Sequence, residues 1–216
     1  MNAGEIAWRI QQRILQKHEK KEVAKCKTPI AEFNTEWKNE NVSIYSKTLP
    51  INWENQEYDL FESISMLGEY DYLHYKRSWH AGFQTKRCWP GKMLSYDIAY
   101  GQREDIGDIR TNWELNRHYQ FAALAKSYYV SGQSRYFEEL EALFSDWNTQ
   151  NPFLYGVEWT SPMEIAIRIN SWIYTYCFLE KACGQETSVK QKEVLSNLSL
   201  GIGRMAEYIL RHRARY

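Results

Sequence analysis

Apolar residues recur with helical spacing through the second half of the chain. The spacing predicts four helices, at residues 112–130, 133–148, 162–182 and 188–215. The third has the clearest start, because Ser161 can cap it, Pro162 suits its first turn and Glu164 completes a capping box. Only short loops separate the four segments. Successive helices are therefore expected to pack as antiparallel hairpins.

The first of these segments is interpreted as one continuous helix. A single stripe along it contains Leu115, Tyr119, Ala122, Ala125 and Tyr129. This stripe is expected to face the core, and Gly132 is expected to end the helix.

The first half of the chain has one segment with a clear helical pattern, residues 5–25. It places Ile6, Ile10 and Ile14 four residues apart, with arginines and lysines around them. We expect an amphipathic helix that packs on the rest of the protein through this stripe. A helix that lies on a membrane surface is the alternative.

The remainder of the first half is irregular and aromatic. It is predicted as loop with short extended pieces at 26–58, a short helix interrupted by Gly68 at 59–73, and irregular chain at 74–110. Such irregular chain has no periodic core face and must lie against something larger. The sequence thus divides into residues 1–110, the N-terminal helix with the aromatic-rich region, and residues 111–216, the helical hairpins.

Composition and charge exclude several classes of protein. Apolar residues make up 44% of the chain, which is enough for a core. The basic and acidic residues number 27 each, so a broadly basic nucleic-acid binder is a poor fit. No apolar run reaches the roughly 18 residues of a membrane span, and the N-terminus lacks the apolar core of a signal peptide. We expect a cytoplasmic protein, or a periplasmic one if a leader was removed.

Motifs for cofactors and metals are absent from the sequence. The four cysteines stand far apart and include no C-x-x-C pair, which argues against a zinc module or a disulfide scaffold. There is no glycine-rich phosphate loop, no H-E-x-x-H and no G-x-S-x-G. Neither a cofactor nor a metal is expected.

Two helix starts collect the side chains that could bind a ligand. They contain Trp113, Asn116, Arg117 and His118 in the first, and Trp159, Glu164 and Arg168 in the second. On a continuous helix, Glu114 and His118 would be neighbours four residues apart, as would Trp113 and Arg117. If the two groups share a groove, indoles and charged groups would meet a ligand there. The alternatives are ordinary capped helix starts, surface ion pairs and tryptophans wedged into the core.

Several short runs between residues 95 and 175 follow a familiar order. They are Asp108-Ile109-Arg110, Trp113-Glu114-Leu115-Asn116-Arg117-His118, Asn151-Pro152, Gly156-Val157-Glu158-Trp159 and Ser161-Pro162-Met163-Glu164. Together they resemble the N-terminal part of heparinase II/III-type polysaccharide lyases. That family more often has Gly-Ile-Asn-Trp in the fourth run, so Glu158 is a departure from its pattern.

The resemblance implies a mainly α fold, in which antiparallel hairpins build an incomplete (α/α) toroid, followed in full-length members by a β-domain. It implies β-elimination on a polysaccharide that contains uronic acid. In that reaction an amide neutralises the sugar carboxylate, and Tyr or His side chains move the protons. The catalytic residues of the family come after the helix that ends this chain, so no catalytic residue is assigned. The seven candidate residues would line the substrate cleft.

Three hypotheses about function follow. The first is the substrate-side portion of such a lyase, truncated at its C-terminus and inactive alone. Its expected partner is the missing part of the same polypeptide, or a second copy bound through exposed helix faces. The second is a non-catalytic glycan-binding module. The third is a helical-repeat interaction module, since residues 123–133 look like a tetratricopeptide turn that does not recur at the expected spacing. An anionic polysaccharide or oligosaccharide, heparan-like, alginate-like or from a bacterial capsule, is the expected partner, rather than nucleic acid or membrane.

Overall fold

The computed structural model describes residues 3–25, 65–67, 70–101, 103–183 and 187–212. Its elements are α1 (Ala3–Lys25), β1 (Ser65–Met66), β2 (Tyr70–Asp71), α2 (Tyr72–Tyr75), α3 (Ile109–Leu115), α4 (Tyr119–Ser131), α5 (Ser134–Gln150), α6 (Pro162–Cys183) and α7 (Val189–Arg211). Two 3-10 turns are formed by Ser95–Asp97 and Val157–Trp159. The described chain is mainly helical, as the sequence predicts.

Two helical hairpins form the larger part of the structure. Helix α4 packs most extensively on α6, while α5 packs on α4 and α7 packs on α6. The buried residues of α5 and α7 keep to one face, as expected for outer helices. Helix α4 ends at Gly132 as predicted, because this residue adopts a left-handed conformation with φ 67° and donates its N–H to the Tyr128 carbonyl.

The helix predicted at 112–130 is in fact two helices, α3 and α4, with a break between them. His118 adopts φ 62° in the left-handed region, which a continuous helix does not allow. Trp113 and Glu114 lie in α3, whereas Arg117 and His118 lie in the break, so the pairs Trp113–Arg117 and Glu114–His118 do not share one continuous helix as predicted. The break turns Tyr119 outward, with 52% of the residue exposed, although the stripe predicts it in the core. Tertiary hydrogen bonds of the residues in the break outweigh local helix propensity here.

Helix α1 is present, but it packs through a different face from the one predicted. Ile6, Ile10 and Ile14 are 43%, 54% and 63% exposed, so the prediction that they pack on the protein is wrong. The inward face carries the buried carboxylate of Glu19 and the partly buried Val23, which contacts the core. A polar contact, which an apolar pattern does not reveal, decides the orientation of this helix.

The contact that holds α1 is a buried cluster of Glu19, His212 and Tyr96. The His212 Nε2 lies 3.1 Å from each carboxylate oxygen of Glu19, and the Tyr96 hydroxyl donates to the same carboxylate. Burial by itself would raise the pKa of Glu19, but these hydrogen bonds and the charges of His212 and Arg211 outweigh it and lower the pKa. An ionised carboxylate thus joins α1 to the end of α7.

Part of the aromatic-rich segment before α3 packs against the helical hairpins. Trp79 and Phe83 are buried in the same core as α4, α5, α6 and α7. Trp89 is buried in a smaller cluster with Trp113 and Val157. The core is therefore continuous between this segment and the hairpins.

The predictions for residues 26–58 lie outside the described residues. Where the short helix predicted at 59–73 is described, the chain instead forms the antiparallel pair β1–β2, and Leu67 between them has φ 55°. A helix begins only at Tyr72, where the Asp71 carboxylate accepts from the Leu73 N–H at 3.0 Å. Among the helices of the described ranges, none combines the length and apolar character needed to cross a membrane.

Replacing Glu19 by Ala is expected to destabilise the protein by about 3–5 kcal/mol, because His212 and Tyr96 would stay buried without their partner. Glu5→Ala on the same helix removes an exposed pair with Arg9 and is expected to cost less than about 1 kcal/mol. Urea unfolding of both variants measures the difference. Equal losses would show that the buried cluster does not hold α1.

Candidate functional site

The two helix starts that the sequence singles out lie against each other. The Arg117 guanidinium, in the break after α3, donates to both carboxylate oxygens of Glu164 near the start of α6, at 2.8 and 3.1 Å. The Arg168 guanidinium donates to the backbone carbonyls of Asn116 at 2.7 Å and Glu158 at 3.1 Å. The Trp113 indole donates to the Val157 carbonyl at 3.1 Å. The structure thus joins the two groups in one cluster.

Most of this cluster is buried, in contrast to the cleft lining that the resemblance implies. The buried members are Trp113, Asn116, His118, Trp159, Glu164 and Arg168. Only Arg117 reaches the surface, with 23% of its side chain exposed. The buried members pack within the protein, and most of their polar groups have hydrogen-bonding partners there, so they build the wall of this region rather than an open groove. Their part in substrate binding stays a prediction.

Asn116 is the hub of the buried cluster. Its amide nitrogen donates to the Trp79 carbonyl at 2.9 Å and to the Asn112 carbonyl at 3.0 Å. Its amide oxygen accepts from the Trp147 indole at 2.9 Å, and its own carbonyl accepts from Arg168. One residue, through its side chain and its backbone carbonyl, therefore connects the aromatic-rich segment, α3, α5 and α6.

Arg168 carries a charge into the interior. Its guanidinium lies over the rings of Trp147 and Trp159, at 4.9 and 5.5 Å from their centroids. Burial lowers the pKa of Arg168 to about 10, against the opposing charges of Glu158 and Glu164. The guanidinium is therefore charged at neutral pH, and the two carboxylates compensate it.

His118 is a buried and neutral imidazole. Its Nδ1 accepts a hydrogen bond from the Trp172 indole at 2.8 Å, so its proton is on Nε2. The ring stacks on Phe121 with centroids 4.2 Å apart. Burial, together with the positive charge of Arg168, puts the pKa of His118 well below its usual value. The side chain cannot act as a base towards a ligand at the surface.

Glu158, which departs from the family pattern, has a partner in His80. The carboxylate Oε1 lies 3.1 Å from the His80 Nδ1, and the Glu158 side chain is fully buried. Burial alone would lower the pKa of His80, but the hydrogen bond and charge of Glu158 outweigh it, and the pKa is raised. Gly156 is required beside this pair, since a Cβ there would overlap the carboxylate. The pair is a structural element that the sequence did not reveal, because its members are far apart in the chain.

Two exposed tyrosines lie next to residues of the cluster. Tyr100 is 39% exposed and its ring meets the Trp113 ring edge-on, with centroids 5.7 Å apart. Tyr119 is exposed at the start of α4, two positions after Arg117 in the chain. The sequence pattern predicts neither as an exposed residue near the cluster. The apolar stripe predicts Tyr119 in the core, and only the aromatic richness of its segment draws attention to Tyr100.

The described residues include no group of three or more His, Cys, Asp or Glu side chains that could hold a metal ion. The side chains of the cluster offer hydrogen bonding, aromatic stacking and charge. The guanidinium of Arg117 has five N–H groups, of which three are used in its bonds to Glu164 and Glu114. It can donate to a further anionic or hydroxyl group.

Comparison with known proteins gives one match. The profile of the family described as heparinase II/III N-terminus matches residues 9–214. No curated protein and no solved structure matches the chain.

Asn116→Leu is expected to destabilise the protein by about 2–5 kcal/mol, because it removes the acceptor of the buried Trp147 indole and the donor to two carbonyls. Asn170, which is exposed on α6, provides the matched control, and Asn170→Leu is expected to change stability by about 0.5 kcal/mol or less. Chemical denaturation compares the two. A small effect at Asn116 would contradict its role as the hub.

Acid is expected to destabilise the protein through His118. The unfolded chain takes up a proton on this residue as the pH falls below about 6.5, whereas the folded protein does not, so up to about 1.4 kcal/mol of stability is lost per pH unit. His80 has the opposite sign. Its raised pKa contributes stability that is fully present below about pH 6.5 and is lost as the pH rises through the pKa of the folded protein.

The variant His118→Asn separates the two histidines, because Asn tolerates a left-handed backbone and can accept from the Trp172 indole. It is expected to be less stable at every pH, but with a flatter loss between about pH 6.5 and 5. Denaturation curves across this range provide the measurement. Parallel curves for the two proteins would mean that His118 is not the titrating group.

Proposed function

The chain belongs to the heparinase II/III N-terminus family, and on that premise we propose that it is the substrate-side, helical portion of a polysaccharide lyase. The substrate is a polysaccharide that contains uronic acid, and the reaction is β-elimination. The match over residues 9–214 is the observation that carries the proposal. The chain contributes binding and positioning, while the groups that move protons come from outside this segment.

The arrangement of the hairpins supports an incomplete (α/α) toroid. Helices α4 and α6 pack on each other, and each also packs on its own hairpin partner, α5 or α7. Repetition of this unit, with one helix of each hairpin inside and one outside, is how such a toroid is built. In this proposal the start of α4 and the start of α6 belong to one rim, because Arg117 and Glu164 join them.

The sugar-contacting surface of this rim is proposed to consist of Arg117, Tyr100 and Tyr119. Tyrosine rings offer a rigid apolar face to the C–H groups of a pyranose, and a guanidinium pairs with a carboxylate or sulfate. The six buried residues of the cluster would hold these three side chains in place. Trp113 and Trp159 are unsuitable for testing contact, since replacing either by Ala leaves a cavity that costs about 3–5 kcal/mol in folding.

Tyr119→Ala and Tyr100→Ala are each expected to weaken the binding of an acidic oligosaccharide about 5- to 30-fold, as loss of a stacking contact of about 1–2 kcal/mol requires. Tyr119→Phe keeps the ring face and is expected to bind nearly as well as the unchanged protein. Val189→Ala, at the exposed start of α7, is the control for a surface change elsewhere. Calorimetric titration with oligouronates measures all four.

The assignment to a lyase is tested by the chemistry of the product. The polypeptide that carries this region is expected to release unsaturated uronate, detected by its ultraviolet absorbance, from one of heparan sulfate, alginate or a bacterial capsular uronan. The segment alone is expected to bind the same polymer without releasing product. Binding without cleavage by the longer polypeptide would favour a non-catalytic glycan-binding module, and absence of both would overturn the proposal.

A further inference from the structure

A cavity of about 300 Å³ lies between the outer helices α5 and α7, away from the buried cluster. Its walls come from one face of each helix. They consist of Glu141, Phe144, Ser145, Asn148 and Thr149 from α5, and of Lys190, Glu193, Val194, Asn197, Leu200, Gly201 and Arg204 from α7. This volume is at the lower end of the range found for small-molecule sites. We call it the outer groove.

The outer groove runs lengthwise between two helices that point in the same direction. At one end of the groove the Lys190 ammonium forms an ion pair with the Glu141 carboxylate at 3.3 Å. At the other end Arg204 and Asn148 line the groove. From Lys190 to Arg204 the 14 residue steps rise by about 21 Å along α7. The groove is therefore long enough for more than one sugar unit of an extended chain.

The position of α7 keeps the outer groove open. Gly201 packs directly on the Trp172 ring of α6, where any Cβ would overlap the indole. Helix α7 is thus seated on α6, and α5 is seated on α4. Because α5 packs on α4 and α7 packs on α6, the two outer helices do not move together to fill the space between them.

The chemistry of the walls suits a saccharide. The floor is apolar where Phe144 and Val194 are buried. Asn148 and Asn197 supply amides, which donate to and accept from sugar hydroxyl groups, and Ser145 and Thr149 supply hydroxyls. An apolar floor with several directional polar groups is the usual composition of a small-molecule site.

The two ends differ in charge. At the Lys190 end, the carboxylates of Glu141 and Glu193 outnumber the single ammonium group. At the other end the Arg204 guanidinium lies 5.5 Å from the Phe153 ring centroid, and Glu207 is the opposing charge near it. A planar guanidinium held against an aromatic ring is suited to a carboxylate.

We propose that the outer groove is a second saccharide-binding site, in which an acidic sugar unit places its carboxylate at Arg204 and its hydroxyl groups at Asn148 and Asn197. The site lies on the outer helices, apart from the rim formed by Arg117, Tyr100 and Tyr119. It would hold the polymer while another part of the same chain occupies the rim. This inference takes its ligand class from the proposed function.

The test uses calorimetric titration of the polypeptide with oligomannuronate and with a heparan sulfate oligosaccharide, and with neutral maltohexaose as the uncharged probe. Ser145→Trp fills the outer groove from an exposed position, and Ser134→Trp on the same helix lies outside it as the matched control. Arg204→Gln removes the charge. Each groove variant is expected to weaken oligouronate binding about tenfold, whereas Ser134→Trp does not. Maltohexaose is expected to bind weakly to all of them.

The outcomes separate this inference from the proposed function. If Ser145→Trp and Asn197→Ala bind oligouronate as tightly as the unchanged protein while Tyr119→Ala binds weakly, the outer groove is not a saccharide site and the proposed function stands. If no acidic oligosaccharide binds the unchanged protein, both are overturned. Ser145 and Asn197 are exposed, so these variants keep the test decisive even if Arg204→Gln fails to fold.

Discussion

The buried hydrogen bonds of Asn116 and Arg168 are the constraint on which the arrangement of this protein depends. A polar group that leaves water must find partners, and an amide at the centre of a core finds them only in a narrow range of geometries. Asn116 bonds to the aromatic-rich segment and to α5, and Arg168 bonds back to Asn116 and to the turn before α6. Four separate stretches of chain are thereby held in fixed relation, because moving one of them leaves a buried donor or acceptor unpaired.

This constraint explains why the polar residues near the two helix starts are internal. Two guanidinium groups, on Arg117 and Arg168, are compensated by the carboxylates of Glu114, Glu158 and Glu164, and the protonated form of His80 adds positive charge beside Glu158. Such a cluster contributes little net stability compared with apolar packing, but its directional bonds permit few alternative arrangements. The same bonds break the helix before His118, and the break determines which side chains reach the surface.

The hairpin layers form two different surfaces. One is the rim where α4 and α6 begin, with a guanidinium and exposed aromatic rings. The other is the outer groove, which exists because α5 packs mainly on α4 and α7 mainly on α6. Both surfaces follow from the packing of the inner helices, and each is assembled from residues of more than one segment of the chain.

The sequence by itself determined the helical class, the positions of α5, α6 and α7, the glycine that ends α4 and the family, because periodicity, capping residues and turn residues act over a few positions. It did not determine the break before α4, the face by which α1 packs, or the burial of the candidate site residues. Those were decided by bonds between residues distant in the chain, such as Glu19 with His212, Glu158 with His80 and Arg168 with Asn116. Local propensity is worth a few tenths of a kcal/mol per residue, and a buried hydrogen bond or ion pair outweighs it only once the tertiary fold has brought the partners together.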